Sequence, residues 1–106
     1  MKMREREQVK KAILKLRRQF REENHLTPFT INCGSCDTFA QSLLDIFPNG
    51  DTMWGETIPD KFPKGICPQG HCFFELNGWY YDSESPLGVK NPHLLNFYKR
   101  QKKKKE

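Results

Sequence analysis

This 106-residue chain has no run of more than three consecutive aliphatic residues, the longest being Ala12-Ile13-Leu14. A membrane-spanning helix needs about 20 apolar residues and a secretory leader an apolar stretch of about 7–15, so neither is expected. Apolar residues of all kinds make up only 36%. Disorder is still not the expectation, because eight Phe and two Trp supply aromatic bulk that solvated segments lack. The length allows one domain and leaves no room for a second core. No internal repeat is present, and the one low-complexity piece is Lys102–Lys105. The expected setting is a reducing cytosol, where four Cys read as free, metal-bound or catalytic thiols rather than disulfides.

Cations are scarce in the middle of the chain. Residues 24–98 carry only Lys61, Lys64 and Lys90 against eight Asp and Glu, a net −5. Residues 1–23 and 99–106 each carry +5, so the formal net charge of +5 belongs to the ends. Basic ends can attract an acidic partner or nucleic acid. The tail has no interleaved aromatics, however, and the chain has neither a zinc-finger nor an aromatic RNA-binding signature. The pattern therefore reads as one domain over residues 1–100, followed by a disordered basic tail over 101–106.

Val9, Ile13, Leu16 and Phe20 recur at i, i+4, i+7 and i+11, which predicts an amphipathic basic helix over 3–23. Pro28 ends that reach, and Phe29-Thr30-Ile31 reads as an extended approach to Cys33. Cys36, Phe39, Ala40, Leu43, Leu44 and Phe47 form the apolar stripe of a second helix over 36–47, closed by the turn residues Pro48-Asn49-Gly50-Asp51. A short strand is expected over 52–56 and a loop over 57–70. The clearest local signal is a pair of aromatic-rich runs, 71–76 and 79–82, separated by Asn77-Gly78. A type I′ turn needs φ > 0 at both central positions, and Asn-Gly tolerates this best, so the segment reads as a hairpin. Asn91-Pro92 reads as an N-cap and first helical position, opening a short helix through Leu94, Leu95 and Phe97. The order implies a small α+β domain with an antiparallel sheet.

A two-residue turn at 77–78 sets His71 opposite Glu84 and places Asp82 one diagonal step from His71 on the same side. That separation is within reach of an imidazole and a carboxylate. Cys36 is the first residue of the second helix, where backbone amides and the helix dipole favour a thiolate. A Cys at a helix start, facing a sheet that carries His and Asp, has the parts of a nucleophile, base and orienter. The Cys36 backbone N–H is one candidate oxyanion donor, with Asn32 as a second. Glu84 is the reserve orienter. Cys36 is expected to be the most reactive thiol, with Cys33 and Cys72 protected by packing. Trp54, Trp79, Tyr80 and Tyr81 are read as core and edge packing, or else as walls of a cleft.

Gly34-Ser35-Cys36-Asp37-Thr38-Phe39-Ala40, then His71-Cys72-Phe73-Phe74-Glu75, then Trp79-Tyr80-Tyr81-Asp82, resembles the core of the transglutaminase-like branch of papain-fold cysteine enzymes over residues 32–88. That branch runs G-x-C-x-D/T-x-A, then H-x-[WF]-x-E, then W-x-x-D, with its triad in the order Cys, His, Asp. Cys33-Gly34-Ser35-Cys36 also matches the papain signature. The chain departs from papain itself. Asp37 replaces an aromatic residue, Thr30 stands where a Gln is expected, and His71 follows too closely. The resemblance implies a papain-like fold, a catalytic Cys36, His71 and Asp82, thioester chemistry on a peptide or protein substrate, and no cofactor.

Two other readings use the same residues. Cys33, Cys36, Cys67 and His71 or Cys72 have spacings compatible with a zinc-stabilised, non-catalytic binding module. Cys33-Gly34-Ser35-Cys36 at a helix start also matches a thiol redox motif, although no strand unit precedes it.

Overall fold

The computed structural model describes residues 2–104. Helix α1 spans Lys2–Asn24, α2 Pro28–Gly34 and α3 Cys36–Ile46. Strands β1 (Asp51–Trp54), β2 (Cys72–Leu76) and β3 (Trp79–Tyr81) form one antiparallel sheet in that order, and α4 (Asn96–Lys104) closes the chain. The α+β architecture expected from the pattern is present. Among the described residues, no helix is long and apolar enough to cross a membrane.

Residues 28–31 are helical rather than extended. Thr27 caps α2, with its hydroxyl accepting from the Thr30 N–H at 3.2 Å and the Thr30 hydroxyl accepting from the Thr27 N–H at 2.7 Å. Pro28 occupies the first helical position, where its missing N–H costs nothing and its fixed φ suits the turn. Pro28 therefore starts α2 as well as following the end of α1. This short helix brings Asn32 inward, so that Asn32 and Ile31 are buried.

The hairpin forms with the expected register: Leu76 opposes Trp79 and Phe74 opposes Tyr81. Asn77 and Gly78 have φ of 52° and 86°, as a type I′ turn demands. Strand alternation then splits the apolar interior across the sheet. Phe74, Leu76 and Tyr81 pack against α1 and α3 through Val9, Ile13, Leu16, Phe39 and Leu43. Phe73 and Tyr80 lie in the opposite layer with Phe62, Leu95 and Tyr98. One domain thus carries two apolar layers, in place of the single core expected from its length, because both faces of the hairpin are aromatic.

Gly55 packs so closely on Pro68 and Tyr98 that a Cβ there would overlap the Pro68 carbonyl oxygen and the Tyr98 hydroxyl. That contact ties the 59–70 connection to α4, where the Tyr98 hydroxyl donates to the Pro68 carbonyl at 2.9 Å. The segment from Asn91 also differs from the single short helix expected. A 3-10 turn over Pro92–Leu94 gives way to an extended Leu95 before α4 begins at Asn96. Helix α4 runs on to Lys104, into the segment expected as a tail over 101–106. Gln101 pins this turn by accepting from the Cys67 N–H at 2.9 Å and donating to the Cys67 carbonyl at 3.0 Å. Lys105 and Glu106 lie outside the described residues.

Candidate active site

His71 sits immediately before β2 and Asp82 immediately after β3, so the hairpin brings two residues eleven apart in the chain together at its open end. His71 Nε2 lies 2.8 Å from Asp82 Oδ2, with both side chains buried at 0% and 3% exposure. Asp82 is held in turn: its Oδ1 accepts from the Glu84 N–H at 3.0 Å and its Oδ2 accepts from Asn32 Nδ2 at 3.3 Å. An ionised carboxylate can only accept, so the proton of a neutral His71 belongs on Nε2. Nδ1 then presents its lone pair.

Cys36, 8% exposed, opens α3 and clusters with Ala40 and Cys72. It does not approach across the sheet face that carries His71, because the α3 stripe covers the opposite face. Cys36 instead meets His71 and Cys72 around the end of β2. Its Sγ accepts from the Cys72 backbone N–H at 3.4 Å. Burial alone would push the Cys36 thiol up, but the His71 ring and the Cys72 N–H outweigh burial and the nearby Asp37, so the net shift is downward. For His71, burial acts to lower the value, while Asp82 and Cys36 raise it, and the net shift is upward. Both shifts favour a thiolate–imidazolium pair. Buried Nδ1 has no partner at hydrogen-bonding geometry among the described residues, so the thiol–imidazole contact is loose. Catalytic contacts commonly tighten only when substrate is bound.

Cys72 provides the contrast. It is buried beside Cys36, and burial followed by the charges of Cys36, Asp37 and Glu56 pushes it up to about 12. All four cysteines are free. Cys33 is exposed rather than protected, lining a cleft of about 270 Å³ with Phe29, Phe97, Arg100 and Gln101. Among the described residues, no three His, Cys, Asp or Glu side chains gather as a metal site requires, so the zinc set of Cys33, Cys36, Cys67 and His71 or Cys72 is not assembled. Cys67 lies exposed in the loop, tied through its backbone to Gln101.

The Asn32 amide is not left over for an oxyanion. Its Nδ2 donates to Asp82 and, at 2.8 Å, to Glu84 Oε1, while its Oδ1 lies 2.9 Å from the Ser83 hydroxyl. With two carboxylates on one side of the amide, this orientation is the one electrostatics requires. The Cys36 backbone N–H remains a first-turn helix donor, without an acceptor in its own helix. Glu84, the reserve orienter, makes a two-pronged pair with Arg100, in which Nη2–Oε1 and Nη1–Oε2 are both 3.0 Å.

Tyr80 and Tyr81 are buried, and Trp79 packs beneath Arg6, whose guanidinium lies 3.5 Å from the ring centroid. Trp54 alone of the four aromatics is exposed, lining a shallow cleft with Asp37, Thr38, Gln41, Ser42, Asp45 and Thr52. Sequence reasoning missed what α4 supplies. Phe97 stacks face-on against His71, with ring centroids 4.4 Å apart and an interplanar angle of 13°, and Arg100 holds Glu84. The available signal was helical spacing, since Phe97, Arg100 and Gln101 fall at i, i+3 and i+4 on one face. No protein-family model, curated protein or solved structure matches this chain.

Proposed function

We propose that this chain is a cysteine hydrolase or acyl-transferase, similar to the transglutaminase-like branch of the papain-like fold, acting on a peptide or amide substrate through a thioester. The observation that carries the reading is the His71 Nε2–Asp82 Oδ2 bond of 2.8 Å, which leaves Nδ1 for a thiol whose proton affinity is lowered. In this reading the Cys36 thiolate attacks the carbonyl carbon. The imidazolium of His71 gives its Nδ1 proton to the departing amine as the C–N bond breaks. Water or a second amine, deprotonated by His71, then attacks the thioester and releases Cys36. Asp82 holds the tautomer and stabilises the imidazolium. The Cys36 N–H is positioned at a helix start to serve the oxyanion. No step requires a cofactor.

The test is acyl-enzyme trapping. Wild-type protein incubated with activated peptide esters and amides should gain the mass of the acyl group at Cys36, and Cys36→Ala should not. Acylation that persists in Cys36→Ala, or that maps to Cys33 or Cys67, would overturn the reading.

A further inference from the structure

Two carboxylates follow β3 closely in the chain, Asp82 and Glu84, where strand pairing has ended and the Ser85 N–H bonds back to the Asp82 carbonyl, and only Asp82 bonds the imidazole. We infer that Arg100 of α4 is a positioning residue that makes this choice, holding Glu84 in a two-pronged ion pair so that Asp82 alone orients His71. The inference rests on the cysteine-enzyme reading and deepens it.

The geometry is a continuous chain of contacts. Arg100 bonds both Glu84 oxygens at 3.0 Å. Glu84 Oε1 and Asp82 Oδ2 share the Asn32 Nδ2 group at 2.8 and 3.3 Å, and Asp82 Oδ2 meets His71. A planar guanidinium satisfies a carboxylate bidentately and fixes its direction, which a lysine ammonium cannot do. Arg100 is itself seated by its stack over Phe29, 4.6 Å from the ring centroid, and by α4, whose Tyr98 is fully buried. Without Arg100, two like charges would meet over one amide with His71 as their nearest cation. Glu84 would be free to turn toward the imidazole, and the uncompensated charge would oppose a thiolate at Cys36. The other groups that act on this pair are the Cys72 N–H and Asp37 at the thiol, and the buried Tyr98 hydroxyl near Asp82.

The test reads the pH dependence of Cys36 alkylation by iodoacetamide on the full chain, site-resolved by mass spectrometry, with melting curves alongside. Arg100→Ala should lower the Cys36 rate at pH 6 about tenfold, the equivalent of one unit in thiol pKa. Arg100→Lys should recover only part of it. Glu84→Gln added to Arg100→Ala should restore the profile, because no second carboxylate then competes, and a merely structural role for Arg100 would not be rescued this way. If Arg100→Ala alone does not fold, the double variant is compared with Glu84→Gln and should match it. A wild-type Cys36 that is activated and unmoved by Arg100→Ala, or a loss that Glu84→Gln fails to rescue, would overturn the inference while leaving the enzyme reading standing. An ordinary thiol profile for wild-type Cys36 would overturn both.

Discussion

His71 Nε2 and Asp82 Oδ2 are 2.8 Å apart in a part of the molecule where neither side chain is more than 3% exposed. An imidazole with one nitrogen committed to a buried carboxylate has a defined tautomer and a defined direction for the other. Cys36 is the thiol on which this ring acts.

Cys36 should alkylate faster than Cys33 and Cys67 at pH 6, although both of those are exposed. A thiol with a lowered value keeps its thiolate as pH falls below the ordinary thiol range, losing it only on passing the lowered value. Cys72, pushed up to about 12, should stay unlabelled throughout. Faster labelling of Cys33 or Cys67 at pH 6 would contradict the assignment of Cys36.

Asp82→Asn should cut thioester formation about a hundredfold or more, the scale on which positioned acid–base groups contribute. An amide at residue 82 no longer stabilises the imidazolium, so the pH at which Cys36 loses reactivity should move upward. Single-turnover acylation measured from pH 5 to 9 checks both effects, and an unchanged profile would remove Asp82 from the site.

Phe97→Ala should raise the Cys36 alkylation rate severalfold and favour bulkier reagents. Phe97 covers the fully buried His71 and lines the neighbouring cleft, while Tyr98 and Leu95 anchor α4 independently in the core. Reagents of graded size, compared between wild type and variant, provide the measurement. Equal rates would mean that Cys36 is reached by another route.

Gly78→Ala should destabilise the domain by about 1 kcal/mol, because an alanine is strained at φ of 86°. Thr27→Ala should cost a similar amount, about 1 kcal/mol, by removing the hydroxyl that caps α2. The two should differ in their effect on the site. Thr27→Ala loosens the helix that carries Asn32, whereas Gly78 lies at the far end of the hairpin. Urea melts combined with the alkylation profile separate them, and the reverse ranking at the site would argue against a role for α2.

The legible part of this protein was whatever adjacent residues encode. Asn77-Gly78 between two aromatic runs specifies its turn through backbone φ. A turn of known length sets the register, and the register brings His71 and Asp82 to one side. The apolar stripes of α1 and α3 followed likewise from the helical period, with Cys36 at a helix start. Tertiary packing decided the rest. Thr27-Pro28 is a helix start only if the chain can turn inward there, which depends on the buried place that Ile31 and Asn32 find against distant residues. Asn32 binds partners 50 and 52 residues away, so its amide went to Asp82 and Glu84 rather than to an oxyanion. Glu84, expected opposite His71 if the ladder continued, lies beyond the last strand pair and meets Arg100 of another helix instead. Phe97 came over His71 because Leu95 and Tyr98 buried themselves in the second apolar layer. Local patterns fix dihedrals and faces, but which faces meet depends on the burial they achieve together, and that is a property of the folded whole.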